Sequence, residues 1–304
     1  MATFKSILIV ILIISVLVIL LTFFYIAQKN LRILGYTLVN DLQCGKSKCD
    51  FEVKNIPVLA PPSNLGDLND NITFHRSLIN FMASVIKMSL AGNNYVSPSG
   101  MTLVKQIDTQ ADKLMAVLAT IDSNPDTLII AIRGTQNAED LLQDTHVAQT
   151  SFPIDSSKKP LVHQGFYNVY NAVKDDILGN IPKNTREIIV VGHSLGSAVA
   201  VLTGLIIKKT HSNINTRVVT YACPRVGNKD LADIIDATIE HIRIVNNSDA
   251  VPGLPPAVSP NKLNPPTPWL YYHSGTPITF NLNWQSILNN HLIPVYIEFI
   301  NHYV

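Results

Sequence analysis

The apolar positions of this chain change their spacing several times, and each change predicts a different kind of element. Residues 7–27 carry no charge, and only Ser15 and Thr22 interrupt the apolar run. A helix needs about 20 apolar residues to cross a bilayer. A secretory leader has an apolar core of about 7–15 residues and then a small-residue cleavage site. This run is longer, and Gln28-Lys29-Asn30 is no such site. Residues 1–28 are therefore expected to form an uncleaved, single-pass transmembrane anchor, with a long cleaved leader as the alternative. Residues 29–73 lose the pattern and carry Pro57, Pro61 and Pro62 among Asn, Asp and Ser, which predicts a linker.

The folded domain is expected over residues 74–304. Leu78, Phe81, Met82, Val85 and Ile86 recur at helical intervals within residues 74–90, and Ala91-Gly92-Asn93 supplies a stop, so an amphipathic helix is predicted there. Short apolar runs follow at 114–121, 127–132, 187–191, 217–221 and 241–245, bounded by turn residues, and read as buried strands. Helical patterns at 165–178, 195–208 and 229–240 lie between several of them. That alternation predicts crossover units around a largely parallel sheet, an α/β fold.

Composition narrows the function classes. The chain has 304 residues, 47% hydrophobic and 15% charged, enough for one large core and an appended membrane segment. Its 23 basic and 22 acidic residues give a formal charge of +1 with no long run of either sign, so no nucleic-acid partner is expected. Cys44, Cys49 and Cys223 make neither a zinc pattern nor a disulfide framework, although Cys44 and Cys49 are near enough in sequence to bridge. The side of the membrane stays open. Lys29, Arg32, Lys46 and Lys48 outnumber Lys5 across the apolar run and favour a cytoplasmic domain. The sequons at Asn71 and Asn246 point the other way.

Candidate chemistry begins at Gly192-His193-Ser194-Leu195-Gly196, which follows one predicted strand and opens a helix rich in small residues. A turn sharp enough to push a serine hydroxyl outward leaves no room for side chains two residues to either side, hence the glycines. The competing reading is a serine that caps the helix. A serine hydroxyl is a poor nucleophile, so it needs a base, and the base needs an orienting carboxylate. Asp249 lies just after the strand at 241–245, whereas Asp230, Asp233 and Asp236 fit a solvated helix face. Downstream histidines are His273, His291 and His302. His291 is preferred because Asn289-Asn290-His291 is a polar break that suits a loop, with His273 as its rival. Oxyanion donors are expected from the Leu195 N–H and from Thr135, in the turn Arg133-Gly134-Thr135 after the strand at 127–132.

Taken in order, Ile132-Arg133-Gly134-Thr135, Val162-His163-Gln164-Gly165-Phe166, the serine turn, Thr220-Tyr221-Ala222-Cys223-Pro224-Arg225-Val226-Gly227-Asn228, Asp249-Ala250-Val251-Pro252 and His291 resemble the class 3 lipases, the fungal-lipase-like α/β hydrolases. The resemblance spans roughly residues 115–296. It implies an α/β-hydrolase fold, a Ser194, Asp249, His291 triad, and hydrolysis of carboxylic esters of acylglycerols or phospholipids. It also implies a lid over about residues 136–147. Ala222 departs from the family, which usually has glycine there, and the lid lacks the family's tryptophan. The sequence has no H-E-x-x-H, calcium loop or phosphate-binding glycine motif, so no metal or cofactor is expected. Two other readings remain: an esterase of small non-lipid esters, and an inactive membrane interaction protein that keeps a hydrolase shell. Oligomeric state is not legible.

Overall fold

The computed structural model describes residues 72–90, 96–97, 99–109, 115–134, 147–154, 156–261, 267–284 and 286–303. The anchor and linker expectations, Cys44, Cys49 and the Asn71 sequon all lie outside them. No helix among the described residues is long and apolar enough to cross a membrane.

Seven strands form the central sheet: β1 (Met101–Ile107), β2 (Ala116–Ile121), β3 (Asn124–Ile132), β6 (Glu187–His193), β7 (Asn215–Tyr221), β8 (Glu240–Asn246) and β11 (Thr276–Phe280), side by side in that order. β1, β2 and β3 run antiparallel as a meander. β3, β6, β7, β8 and β11 are parallel. Two short pairs, β4 (Gln149–Ser151) with β5 (Leu161–His163) and β9 (Val258–Ser259) with β10 (Trp269–Leu270), lie outside it. Among the described residues the α-helices are α1 (Ile72–Leu90), α2 (Gln164–Gly179), α3 (Leu195–Thr210), α4 (Lys229–Thr238), α5 (Ile287–His291) and α6 (Ile293–Tyr303).

Parallel strands need crossovers, so helices cover both faces and the strands are apolar on both. Along β6 the alternation is explicit. Ile189 and Val191 join Leu78, Phe81 and Met82 of α1 and Val295 and Tyr296 of α6. Ile188 and Val190 join Val173 of α2, Val199 and Leu202 of α3, and Leu231 of α4. Each such side chain contributes roughly 1.5–3 kcal/mol on burial, so the serine turn is mounted on the best-buried part of the fold.

The five predicted strands and four predicted helices are all present, with ends moved by a few residues. The helix predicted to 240 stops at Thr238, because Glu240 begins β8. β1 and β11 escaped the periodicity reading because both are edge strands: in β11 only Phe280 is buried, and Pro277 is tolerated where no neighbour needs its N–H. The Asn246 sequon is not a glycan site in this fold. Asn246 is fully buried, and its Nδ2 donates to the carbonyls of Leu282 (2.8 Å) and Asn290 (3.3 Å). Cys223 is buried with its thiol pushed up to about 12 by burial, which suits a small core residue.

Candidate active site

Ser194 sits between β6 and α3 with φ 58° and ψ −132°, a conformation that costs an L-residue energy and is held by its surroundings. Its N–H donates to Tyr221 O (3.0 Å), and its carbonyl accepts from Ser197 N (2.9 Å). The flanking glycines are enforced by sterics. A Cβ on Gly192 would lie 2.4 Å from Gly196 O, and one on Gly196 would lie 2.3 Å from Ile132 O. The helix-capping reading does not apply, because the Ser194 side chain makes no cap hydrogen bond.

That hydroxyl instead meets His291: Ser194 Oγ and His291 Nε2 are 2.8 Å apart. His291 Nδ1 is 2.9 Å from Asp249 Oδ2. A carboxylate oxygen accepts, so Nδ1 carries the proton and Nε2 is free to accept from the serine. The Asp249 carboxylate is further locked by Val251 N–H on Oδ1 (2.9 Å) and by the Tyr296 hydroxyl on Oδ2 (2.7 Å). All of these side chains are buried. Burial, and then the neighbouring carboxylate, push the Tyr296 phenol well above its usual range, so it remains a donor.

His291 is not on a loop. It ends the five-residue helix α5, whose first turn is capped by Ser286 Oγ accepting from Asn289 N (3.5 Å). Asn290 holds that helix to the Asp249 loop by donating from Nδ2 to Ser248 O (3.0 Å). His193, inside the serine turn, supports the same residue from the other side. Its Nε2 donates to the His291 carbonyl (2.9 Å), and the two rings lie 4.8 Å apart. Burial, then the neighbouring His291, lower His193 from 6.5 to about 3, so it stays neutral beside the base. His273 lies elsewhere, donating from Nε2 to Pro252 O (2.9 Å). The His302 side chain is outside the described residues. Tyr296 and Asn290 were missed because one reads as a core residue of an apolar helix and the other as loop polarity.

Leu195 is the first residue of α3, so its amide is one of the helix's unpaired N-terminal donors beside Ser194. Thr135 and residues 136–146 of the 136–147 segment read as a lid lie outside the described residues. The turn before them is well placed: a Cβ on Gly134 would lie 2.9 Å from His193 O and from Ser194 Cβ, so this loop packs directly on the serine turn. Ala222 adopts φ 55°, a left-handed conformation that glycine takes without cost. That accounts for the glycine usual there in the resembled family.

Residues 129–259 match the family described as Lipase (class 3). Over that stretch the chain is similar to the class 3 lipases. It is 31% identical over 164 residues to a lipase of Rhizomucor miehei, covering 51% of this chain and 44% of that one. It is 30% identical over 140 residues to the secreted mono- and diacylglycerol lipase A of Penicillium camembertii, covering 44% of this chain and 45% of the other. The matched stretch thus spans under half the length of each of these relatives. Among solved structures, a Rhizomucor miehei triacylglyceride lipase superposes with TM-score 0.57 at 24% identity, over 67% of this chain and 78% of that chain. A triacylglycerol lipase described as having a serine protease triad at its catalytic centre superposes with TM-score 0.55 at 26% identity, over 71% of this chain and 81% of that chain. The fold of the class 3 lipases, an α/β hydrolase with a mostly parallel sheet, is therefore the fold of this chain.

Proposed function

We propose that this protein is a serine hydrolase that cleaves carboxylic esters of lipids, acylglycerols or phospholipids, through an acyl-enzyme on Ser194. The reading rests above all on the buried line from Ser194 Oγ to His291 to Asp249, with separations of 2.8 and 2.9 Å. His291 Nε2 takes the hydroxyl proton as Oγ bonds to the ester carbonyl carbon. The carbonyl oxygen becomes an oxyanion, held by the Leu195 N–H and by Thr135. When the tetrahedral intermediate collapses, the alcohol leaves with the proton from His291. Water, deprotonated by His291, then attacks the acyl-enzyme, and Ser194 regains its proton as the acid departs. Asp249 keeps the imidazole in the needed tautomer and stabilises its charged form, and no cofactor takes part.

The apolar run at residues 7–27 supports membrane anchorage, which would place the site near substrates that dissolve poorly in water. Lipid esters rather than small esters are favoured by the relatives, which are named as lipases.

Full-length protein in detergent micelles, treated with a fluorophosphonate probe and then offered a panel of lipid and short-chain esters, tests both parts. Labelling is expected in wild type and in His273→Ala, and not in Ser194→Ala or His291→Ala. A folded wild type that does not label removes the hydrolase reading, and turnover of short-chain esters alone removes the lipid reading.

A further inference from the structure

Among the described residues six large apolar side chains are exposed. Three of them, Val258 (65%), Leu270 (43%) and Tyr272 (41%), gather on the β9–β10 hairpin and the residues just after it. Val258 and Leu270 pair in register, so their side chains stand together on one face. Single exposed apolar residues are ordinary, whereas a contiguous group marks a contact surface.

The hairpin is bonded to the carboxyl edge of the sheet, where Ser194 follows β6 and Asp249 follows β8. Tyr272 N donates to Gly227 O, beyond the end of β7, and Leu254 O, beyond the end of β8, accepts from Arg225 N. Tyr271 is buried with its hydroxyl donating to Val147 O (3.0 Å), and Gln149 Nε2 donates to Leu270 O (2.9 Å). Beside the hairpin opens a cavity of about 350 Å³, whose lining includes Leu161, Pro268, Trp269, Leu270 and Tyr272. Its polar wall Asn228 spends its amide on Leu161 N, Leu231 N and Lys159 O, which leaves mainly apolar surface to an occupant. Charge is nearly absent. From Ala250 to Ile297 the one Lys, Arg, Asp or Glu is Lys262, and the cavity's Lys229 and Asp230 carry opposite signs.

We propose that this hairpin face docks the folded domain on an electrically neutral lipid surface, with Val258, Trp269, Leu270 and Tyr272 at the boundary. The proposal rests on the lipid-ester reading above and names a contact outside residues 136–147. An uncharged face binds by burying apolar area and gains nothing from anionic head groups. Trp and Tyr suit a boundary that is apolar on one side and wet on the other. A second copy of the chain fits less well, since a stable dimer buries about 20–30 residues a side. The apolar run at 7–27 is separated from α1 by residues 28–71, a reach of up to about 150 Å when extended, so the run does not fix which face meets lipid. A docking face on the triad's edge does.

The test uses full-length protein in phosphatidylcholine vesicles whose acyl chains carry bromine, a short-range quencher of tryptophan emission. The chain has two tryptophans, so Trp284→Phe leaves Trp269 as the reporter. Its emission is expected to fall about twofold against unbrominated vesicles, because interfacial rings lie within reach of the chains. The fall should be equal at about 0.05 and 0.5 M salt, and it should be lost in the double variant Val258→Asp, Leu270→Asp. That variant should turn over a lipid ester in the vesicles about 10-fold more slowly than wild type, and a water-soluble short-chain ester at the wild-type rate. Quenching is read without turnover, so a quenched but inactive protein removes the ester reading and keeps the docking face. Absence of quenching overturns the proposal, whether or not the protein floats with the vesicles. Quenching that survives in the double variant also overturns it, as does quenching that needs anionic lipid and fades in high salt. An unquenched dimer that the double variant turns into a monomer assigns the face to a second copy instead. If Trp284→Phe does not fold, the same signal is the difference between wild type and Trp269→Phe.

Discussion

The serine turn and the Asp249–His291 pair meet within hydrogen-bonding distance, yet they are built in different ways. Ser194 is fixed by its own neighbours: Gly192 and Gly196 leave no space for a Cβ, and β6 and α3 hold the turn from either side. His291 and Asp249 lie 42 residues apart, after different strands, and are joined by polar side chains. Asn246 ties the end of β8 to Leu282 and Asn290, and Asn290 ties α5 to Ser248. The first arrangement is steric and tolerates no added atom. The second is a network of directional bonds, in which loss of one member loosens the rest.

Several substitutions would break or sharpen that contrast. Ser194→Ala should lower ester turnover by about 10⁴-fold or more while leaving the unfolding temperature near wild type, since it removes the nucleophile without adding bulk. Steady-state kinetics with matched melting curves check this. Gly196→Val should cost more than about 3 kcal/mol and prevent folding at growth temperature, because its Cβ meets the Ile132 carbonyl at 2.3 Å; soluble yield and circular dichroism report it. On the network side, Asn246→Ala should cost about 2–4 kcal/mol, leaving the N–H of Leu282 and the carbonyl of Asn290 without their buried partner. Tyr296→Phe, which removes one donor to Asp249 and no packing volume, should fold normally and lose about 10-fold in kcat, with little change in KM.

Acid separates the regions again. His193, His241 and His273 are each lowered to about 3, chiefly by burial. Their folded values lie below the unfolded value of about 6.5, so the unfolded chain binds more protons. Stability is therefore full above about pH 6.5 and falls as pH drops toward 3, by at most about 1.4 kcal/mol per pH unit for each ring. Melting curves from pH 7 to pH 4 should show this decline, and His241→Gln should flatten it. The smallest effect is expected at Ala222→Gly. Relief of the φ 55° conformation should stabilise the fold by about 0.5–1 kcal/mol with unchanged kinetics, read as a small rise in melting temperature.

How much was legible follows the same division. The buried strands announced themselves because both faces of a parallel sheet must be apolar. β1 and β11 did not, since an edge strand is half solvated and loses its pattern. His291 was preferred to His273 from a polar break in the sequence, and the break was correctly located while its conformation was not: it is a helix end rather than a loop.

By itself the sequence determined the serine turn, the α/β layering and the resemblance to the class 3 lipases, because the first two follow from local sterics and apolar spacing and the third from ordered motifs of contiguous residues. The tertiary structure alone decided that Tyr296 completes the Asp249 environment, that His193 braces the His291 carbonyl, and that Asn246 is too buried to carry a glycan. Each of those depends on which distant segments meet at the ends of parallel strands, and no local spacing encodes such a meeting.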